Sequence, residues 1–208
     1  MENFFSILIR SIFIDNMIFA YFLGMCAFLA VSKDVKTSMK IGIAVVFVCM
    51  VTLPINYLLE IYVLREGALA WISPELATLD LSFLALIFFI AVMASVVQVV
   101  EMVIEKTSPA LYNALGIFLP LIAVNCAIFG AALFMQQRLG NTLHGMGDVF
   151  AFGLGSGIGW LVAIVGLAAI REKMEYSDVP KPLKGLGITF VVTALMALAF
   201  MGFSGLNI

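Results

Sequence analysis

Charged residues are scarce in this sequence, and the few that occur are balanced in sign. Only 12% of the 208 residues are charged, with 11 lysines and arginines against 13 aspartates and glutamates, and they form no basic block. Because nucleic-acid binding depends on clustered positive charge, we expect no nucleic-acid partner. The single histidine, His144, has no second histidine or cysteine nearby, which argues against metal ligation at that position.

Cysteine is equally rare and forms no motif. Cys26, Cys49 and Cys126 all lie in apolar segments, which excludes the disulfide framework of a small secreted domain. No CxxC pair occurs, so the usual sequence signal for a metal or cluster site is missing. A glycine-rich dinucleotide fingerprint is also missing, so we expect no residue of this chain to bind NADH or flavin.

Apolar residues dominate the sequence instead. They make up 63% of the chain, and the mean hydropathy is +1.15, which identifies an integral membrane protein. The first apolar segment is too long for a signal-peptide core and has no small-residue cleavage site after it, so we expect a retained span. A helix of about 20 apolar residues crosses a bilayer. Six segments qualify: residues 4–32, 41–62, 81–104, 111–135, 149–170 and 186–203.

The first and fourth predicted spans contain residues that a simple membrane helix avoids. The first has Arg10, Asp15, Asn16 and Gly24 before Cys26, and the fourth has Gly116, Pro120 and Gly130 around Cys126. A proline in mid-helix removes a backbone hydrogen bond and clashes with the preceding turn. We therefore predict two broken helices. Irregular backbone inside a membrane is tolerated only where protein or a cavity covers it, so the breaks should face inward and carry function.

The recurrence of a break in the first of each three spans predicts an all-α membrane protein of two three-helix repeats. We expect a single membrane domain over residues 1–208, with repeats at about 1–106 and about 107–208. A unit with an odd number of spans inserts the second time upside down, which gives an inverted repeat. That arrangement predicts that Cys26 and Cys126 approach each other near the bilayer centre.

The lysines and arginines of the loops predict the orientation. The loops after spans one, three and five carry Lys33, Lys36, Lys40, Lys106, Arg171, Lys173, Lys181 and Lys184. The opposite side has only Arg10, Arg65 and Arg138. Because positively charged loops stay in the cytoplasm, both termini are predicted to face outward, on the periplasmic side.

Span five has a distinctive glycine pattern. Small residues recur at GxxxG spacing twice over, at Gly153, Gly155, Gly157 and Gly159, which predicts close approach by a neighbouring helix. Trp71 and Trp160 are compatible with either interfacial anchoring or ordinary packing.

Two explanations of the cysteines are open at this point. Thiolates ligate iron–sulfur clusters, and a [2Fe–2S] centre normally takes four of them, so Cys26 and Cys126 can supply two and another polypeptide the rest. Alternatively, free cysteine often packs as a small buried hydrophobe. Cys49 is the internal control, because it lies in an unbroken span without a flanking amide or glycine.

Polar residues inside the spans form a separate group. Glu101 is the best candidate for a Na+ path, because an ionisable group in hydrocarbon usually marks such a path, and Gln98 lies on the same helix face. The alternative is that Glu101 reaches the headgroups at the cytoplasmic end. Asp15 and Asn16 carry the same ambiguity in the first span, whereas Glu60 is interpreted as a helix-end residue.

Several motifs resemble one known family. They are SIFIDNM at residues 11–17, FLGMC at 22–26, LYNALGIFLP at 111–120, VNC at 124–126, REKMEYSDVP at 171–180 and MGFSG at 201–205. Together they resemble the E subunits of the Na+-translocating NADH:quinone reductases, the Nqr type, over the whole chain. The A subunits of the Rnf electron-transport complexes are a sister family with the same fold and cysteines, but the REKMEYSD run is more similar to the Nqr type.

The resemblance implies a six-helix inverted-repeat protein that pairs with a homologous D subunit inserted in the opposite sense. Each would give two cysteines to a [2Fe–2S] centre between them, and the matching residues here are Cys26 and Cys126. The complex, completed by the A, B, C and F subunits, is a translocase of the bacterial inner membrane that oxidises NADH, reduces ubiquinone and exports Na+. Electrons would pass from NADH through the FAD and [2Fe–2S] of the F subunit to this centre, then to the FMN of the C subunit. The chain alone would not be catalytic.

Two hypotheses of different classes result. The first is a redox protein that holds half of an intramembrane centre, with Asn125 and the backbone amides near Gly24 as hydrogen-bond donors that tune its potential. The second is a secondary transporter or ion path without a redox centre, because inverted repeats with discontinuous helices are also transporter architecture. Bound iron distinguishes the two.

Overall fold

The structure is a computed structural model that describes residues 3–64, 82–107, 112, 125–178, 180 and 182–205. These residues form seven α-helices and no β-strand. The helices are α1 (Asn3–Phe13), α2 (Met25–Val31), α3 (Val35–Leu59), α4 (Ala85–Thr107), α5 (Cys126–Arg138), α6 (Met146–Met174) and α7 (Leu186–Met201). A π-helical turn, Glu60–Leu64, extends α3, and short 3₁₀ turns occur at Ser82–Leu84 and Gly202–Gly205.

Three of the helical segments are long and apolar enough to cross a membrane. They are Val35–Leu64, Ala85–Val103 and Met146–Met174, which correspond to predicted spans two, three and five. The sixth span is the shorter α7, and only the second half of the fourth, α5, lies within the described residues. Gly116 and Pro120, and with them the predicted break of the fourth span, lie outside the described residues, as does Trp71. The arrangement of six helices in two repeats therefore stays a prediction.

The first predicted span is interrupted, as its polar residues predict. Helix α1 ends at Phe13 and α2 begins at Met25, so residues 14–24 form a non-helical connection, here called the break. The amide of Asn16 satisfies this backbone. Its Oδ1 accepts from the N–H groups of Ile18 at 3.0 Å and Phe19 at 3.3 Å. Its Nδ2 donates to the carbonyls of Ile12 and Gly159. For Asn16 the structure thus favours a structural role.

Helix α6 packs mainly against α3 and α1, and its two glycine pairs face these two neighbours. A β-carbon added at Gly155 would lie 2.7 Å from Cβ of Ser11, and Gly159 is similarly close to the end of α1. A β-carbon at Gly157 would lie 2.8 Å from Cα of Val46, and Gly153 faces the same helix, α3. The prediction of close helix approach is confirmed, and it holds for two helices at once.

The ends of the neighbouring helices are fixed by polar side chains. Arg171 of α6 donates to the carbonyl of Leu29 at 3.1 Å and to Oγ of Ser32 at 2.8 Å, which ties down the end of α2. Asp34 caps α3 by accepting from the backbone N–H and the hydroxyl of Thr37. These contacts set the position of α2, and therefore of Cys26.

Candidate functional site

The two cysteines of the broken spans each lie at the start of a helix. Cys26 is the second residue of α2, directly after Gly24 and Met25, and Cys126 is the first residue of α5. Asn125 caps α5, because its Oδ1 accepts from the N–H of Ala127 at 3.0 Å. The N–H groups of Ile128 and Phe129 are bonded to the carbonyl of Asn125, so the first turn of α5 is closed by its cap. The positive end of the helix dipole lies beside Cys126, a setting that favours negative charge on sulfur.

The structure brings the two thiols together, as predicted. The thiol of Cys126 lies close enough to the thiol of Cys26 and to the backbone N–H of Gly24 to interact with both. Both cysteines are exposed on the surface of the chain, whereas Cys49 is 3% exposed inside α3. Cys49 therefore packs as a small hydrophobe, as predicted, and the pair does not.

Gly24 permits this arrangement. Its φ of 81° is in the left-handed region that favours glycine. A β-carbon at Gly24 would lie 2.9 Å from each of three atoms: Cβ of Ala127, Oδ1 of Asn125 and Nε1 of Trp160. The break, the start of α5 and the middle of α6 thus meet at one glycine. Leu23 packs in the same way into the space left by Gly130 of α5.

Two buried N–H groups beside Gly24 lack a hydrogen-bond partner among the described residues. Nδ2 of Asn125 and Nε1 of Trp160 are enclosed and make no hydrogen bond within the described part of the chain. Trp160 is only 1% exposed, which excludes interfacial anchoring and shows packing instead. It is the middle residue of α6, which runs from Met146 to Met174 over 29 residues, so the thiol pair lies near half-height of a full membrane helix.

No third ligand joins the cysteine pair among the residues that the structure describes. Among residues 3–64, 82–107, 112, 125–178, 180 and 182–205, no three histidine, cysteine, aspartate or glutamate side chains group so as to hold a metal. A four-thiolate site at Cys26 and Cys126 therefore needs two ligands from another chain.

Known proteins resemble this chain over nearly its whole length. A family model described as "Rnf-Nqr subunit, membrane protein" matches residues 4–207. The chain belongs to the Rnf-Nqr family. The E subunit of the Na(+)-translocating NADH-quinone reductase from Aeromonas hydrophila subsp. hydrophila is 57% identical over 208 residues, all of both chains. The proteins of the same name from Psychromonas ingrahamii and Maridesulfovibrio salexigens are each 56% identical, over 208 and 207 residues and 100% of both chains. The resemblance to the Nqr-type E subunits is confirmed.

Asp15 of this Rnf-Nqr protein is part of a charged network. Its Oδ2 accepts from Arg138 at 2.9 Å and from Arg10 at 3.2 Å, and its Oδ1 accepts from the hydroxyl of Tyr21 at 3.1 Å. Arg138 also donates to Tyr21. Because both carboxylate oxygens are engaged, two of these bonds coming from cations, the structure favours a structural role for Asp15 over a Na+ ligand. The network joins the break to the end of α5, the helix that starts at Cys126.

The other candidates for an ion path lie on α4. Glu101 is partly buried and Gln98 is exposed, and within the described residues neither makes a hydrogen bond or ion pair. The interpretation of Glu60 as a helix-end residue is wrong, because the helical segment continues past it to Leu64. Its side chain is 8% exposed, it opens the π-helical turn, and its Oε1 accepts from Gln136 of α5 at 3.2 Å.

Three residues of this Rnf-Nqr protein have surroundings that the sequence analysis does not predict. Trp160 borders the cysteine site, and its place directly after Gly159, at the centre of a span, is a signal of packing. Glu60 follows Thr52 and Asn56 at helical spacing, which indicates one shared face. Arg138 shows no local sign of its contact with Asp15, because the partners are 123 residues apart.

Proposed function

We propose that this chain is the membrane-embedded E subunit of a Na+-translocating NADH:ubiquinone reductase. Cys26 and Cys126 would hold half of a [2Fe–2S] centre shared with a homologous D subunit. The observation that carries this proposal is the contact between two thiols exposed at half-height of the helices. Cysteines that serve packing are buried, as Cys49 is.

The surroundings of the two thiols fit such a group. The pair faces outward from the chain, so a partner protein can reach the same centre with two further thiolates. The backbone N–H of Gly24 lies beside the thiol of Cys126, and hydrogen bonds to sulfur are a main means of tuning the potential. When bound, the group accepts and releases single electrons.

The contribution of the chain is to fix the height of the centre in the membrane. Helix α6, at about 1.5 Å per residue, is about 43 Å long, and Trp160 at its middle contacts the turn that precedes Cys26. A centre held there divides the bilayer crossing into two shorter electron transfers. Burial of Gly24, Asn125 and Trp160 excludes water from the inner side of the site.

The test is the iron content of the purified complex, together with low-temperature EPR of its reduced form, for Cys26→Ala, Cys126→Ala and the control Cys49→Ala. Loss of one iron–sulfur signal and of NADH-to-ubiquinone activity in the first two variants alone supports the proposal. Retention of every iron signal in all three variants would contradict it, and would leave an ion path without a redox centre as the better assignment.

Coupling to Na+ export is a second part of the proposal, and Glu101 is its candidate residue. Glu101 lies on the apolar helix α4, where a partly buried carboxylate without a described partner is a candidate cation ligand together with Gln98. Replacing Glu101 with glutamine should raise the Na+ concentration required for half-maximal turnover. Unchanged Na+ dependence would remove Glu101 from the route.

The proposed partners and location come from the resemblance and from loop charge. We place the chain in the bacterial inner membrane with both termini periplasmic, beside the A, B, C, D and F subunits. A reporter that is active only in the cytoplasm should be inactive when it is fused to either terminus. Activity of such a fusion would show that the orientation is the opposite one. The family model covers Rnf and Nqr proteins alike. The Nqr assignment is favoured because the relatives named above carry that name.

A further inference from the structure

Helix α3 carries a row of polar side chains along one buried face. Thr52, Asn56 and Glu60 follow one another at intervals of four residues and are 0%, 0% and 8% exposed. They lie in Val35–Leu64, a 30-residue helical segment that contains an 18-residue window with a mean hydropathy of 2.2. Polar groups at such depth are rare because they are expensive, and in membrane helices they usually mark the path of an ion or substrate.

Two members of this row lack hydrogen-bond partners in the part of the chain that the structure describes. Oγ1 of Thr52 and both amide atoms of Asn56 are enclosed and form no hydrogen bond with any described residue. An enclosed polar group left unpaired costs about 1–3 kcal/mol, and in hydrocarbon no bulk water relieves that cost. Unpaired groups of this kind indicate an occupant such as an ion or a water molecule.

The backbone beside these side chains is also irregular. Pro54 lies inside α3 between Thr52 and Asn56. Since proline has no N–H, the carbonyl of Met50 loses its helical donor. The helix then changes to a π-helical turn at Glu60, and such turns are frequent at functional sites. One segment of α3 thus combines hydroxyl, amide, carbonyl and carboxylate oxygens.

The row continues onto the neighbouring helix. Gln136 of α5 donates to Oε1 of Glu60 at 3.2 Å, so α3 and α5 meet at this level. The β-carbons of residues four apart on a helix are about 5–6 Å from each other, a spacing that one ion can bridge with two side-chain oxygens. Helix α5 begins at Cys126, so the same helix borders both the thiol pair and this row.

We propose that Thr52, Asn56 and Glu60 form a binding site for a small monovalent cation, Na+, inside the membrane. Neutral hydroxyl and amide oxygens with a single carboxylate suit a hard cation of low charge, since dications are usually bound by more carboxylates. This site is separate from Glu101, which lies on α4. The coupling of the site to electron transfer rests on the proposed function, whereas binding of Na+ does not.

The experiment compares Thr52→Val and Asn56→Leu with the matched control Thr193→Val in the purified complex. Thr193 is a buried threonine whose hydroxyl is already bonded, to the carbonyl of Thr189 at 2.8 Å. We expect about a tenfold weaker 22Na+ affinity and a matching rise in half-saturating Na+ for turnover in the first two variants, because each removes one oxygen ligand of a charged group. Thr193→Val should change neither quantity.

Unchanged 22Na+ binding in both Thr52→Val and Asn56→Leu would overturn the proposal and assign the unpaired atoms to bound water. Should Asn56→Leu fail to assemble, Asn56→Asp keeps the size and one oxygen of the side chain and adds a carboxylate, so Na+ affinity should be retained or raised. Weaker Na+ binding in Asn56→Asp would also overturn the proposal. The iron content of the same preparations should stay constant, which keeps this test independent of the cysteine variants.

Discussion

Gly24 is the position where the addition of a single methyl group should disturb the structure of the cysteine site most. Replacing Gly24 with alanine puts a β-carbon 2.9 Å from atoms of Ala127, Asn125 and Trp160, closer than ordinary van der Waals contact. It also forces a residue with a side chain into a left-handed backbone conformation, at φ 81°. Two separate penalties therefore act at the point where the break, α5 and α6 meet.

The size of each penalty follows from the geometry. A left-handed conformation costs a residue with a side chain about 1–2 kcal/mol. Overpacking of a well-filled interior costs about 1–3 kcal/mol more, because the cap of α5 and the indole must move. Gly24→Ala should thus lower the free energy of unfolding by about 2–5 kcal/mol. Since Cys126 contacts the N–H of Gly24, the same shift should separate the thiols.

Gly140→Ala and Gly145→Ala are the matched controls. Gly140 has a φ of 87°, and a methyl group placed there would have nothing within 4 Å, so it should show the conformational penalty of about 1–2 kcal/mol alone. Gly145 has neither a left-handed φ nor a close neighbour and should show no effect. Unfolding in a graded detergent series measures stability, and iron content reports on the cysteines. Equal losses for Gly24→Ala and Gly140→Ala would refute the argument from close packing.

Three further perturbations test the surroundings. Asn16→Leu should destabilise the protein by about 2–4 kcal/mol, because two buried N–H groups lose their acceptor; thermal unfolding measures this, and no change would contradict the role of Asn16 in the break. Leaving a buried charge unpaired costs about 3–5 kcal/mol, and Arg138→Met should reduce stability by less than this because Arg10 still pairs with Asp15. Arg10 is the more exposed partner, so Arg10→Met should reduce stability less than Arg138→Met in the same assay. The reverse order would contradict the geometry. The hydroxyl and N–H of Thr37 hold the pKa of Asp34 below its usual value, so the stability from this cap is present above the unfolded pKa and is lost as pH falls through the lowered one. The protection factors of the amides at the start of α3, taken against the intrinsic exchange rate at each pH, should therefore fall on acidification in the native protein but not in Asp34→Asn, and an equal fall in both would exclude the carboxylate.

The interruption of the first span is predictable because its causes are local. An arginine, an aspartate, an asparagine and a glycine inside one apolar run cannot all face lipid, and the helix does stop before Asp15 and resume after Gly24. The glycine pairs of α6 are recognisable for the same reason. The sequence does not predict which pair faces α1 and which faces α3, because the two GxxxG pairs look identical in sequence and differ only in the neighbouring helix that each one faces.

The features that sequence reasoning misses depend on distant contacts or on burial. Trp160 has no local sign of its approach to Gly24, since the two residues come from different segments of the chain. The burial of Glu60 is unexpected because a charged residue near the end of an apolar run usually reaches water, whereas here α5 covers it and Gln136 binds it. Periodicity locates a buried face on a helix but does not identify the helix that covers it.

The contacts that stabilise the break also constrain the biogenesis of the protein. Asp15 binds a residue 123 positions later, and Asn16 and Leu29 bind residues 143 and 142 positions later. At a synthesis rate of about 5–20 residues per second, the ribosome needs on the order of ten seconds to deliver those partners. During that interval the first segment is in or near the bilayer with only its local bonds, those of Asp15 to Arg10 and Tyr21 and those of Asn16 within the break. We therefore expect nascent chains that stop before α6 to be retained by the insertion machinery or degraded, and the N-terminal third to reach its native shape only after most of the protein has been translated.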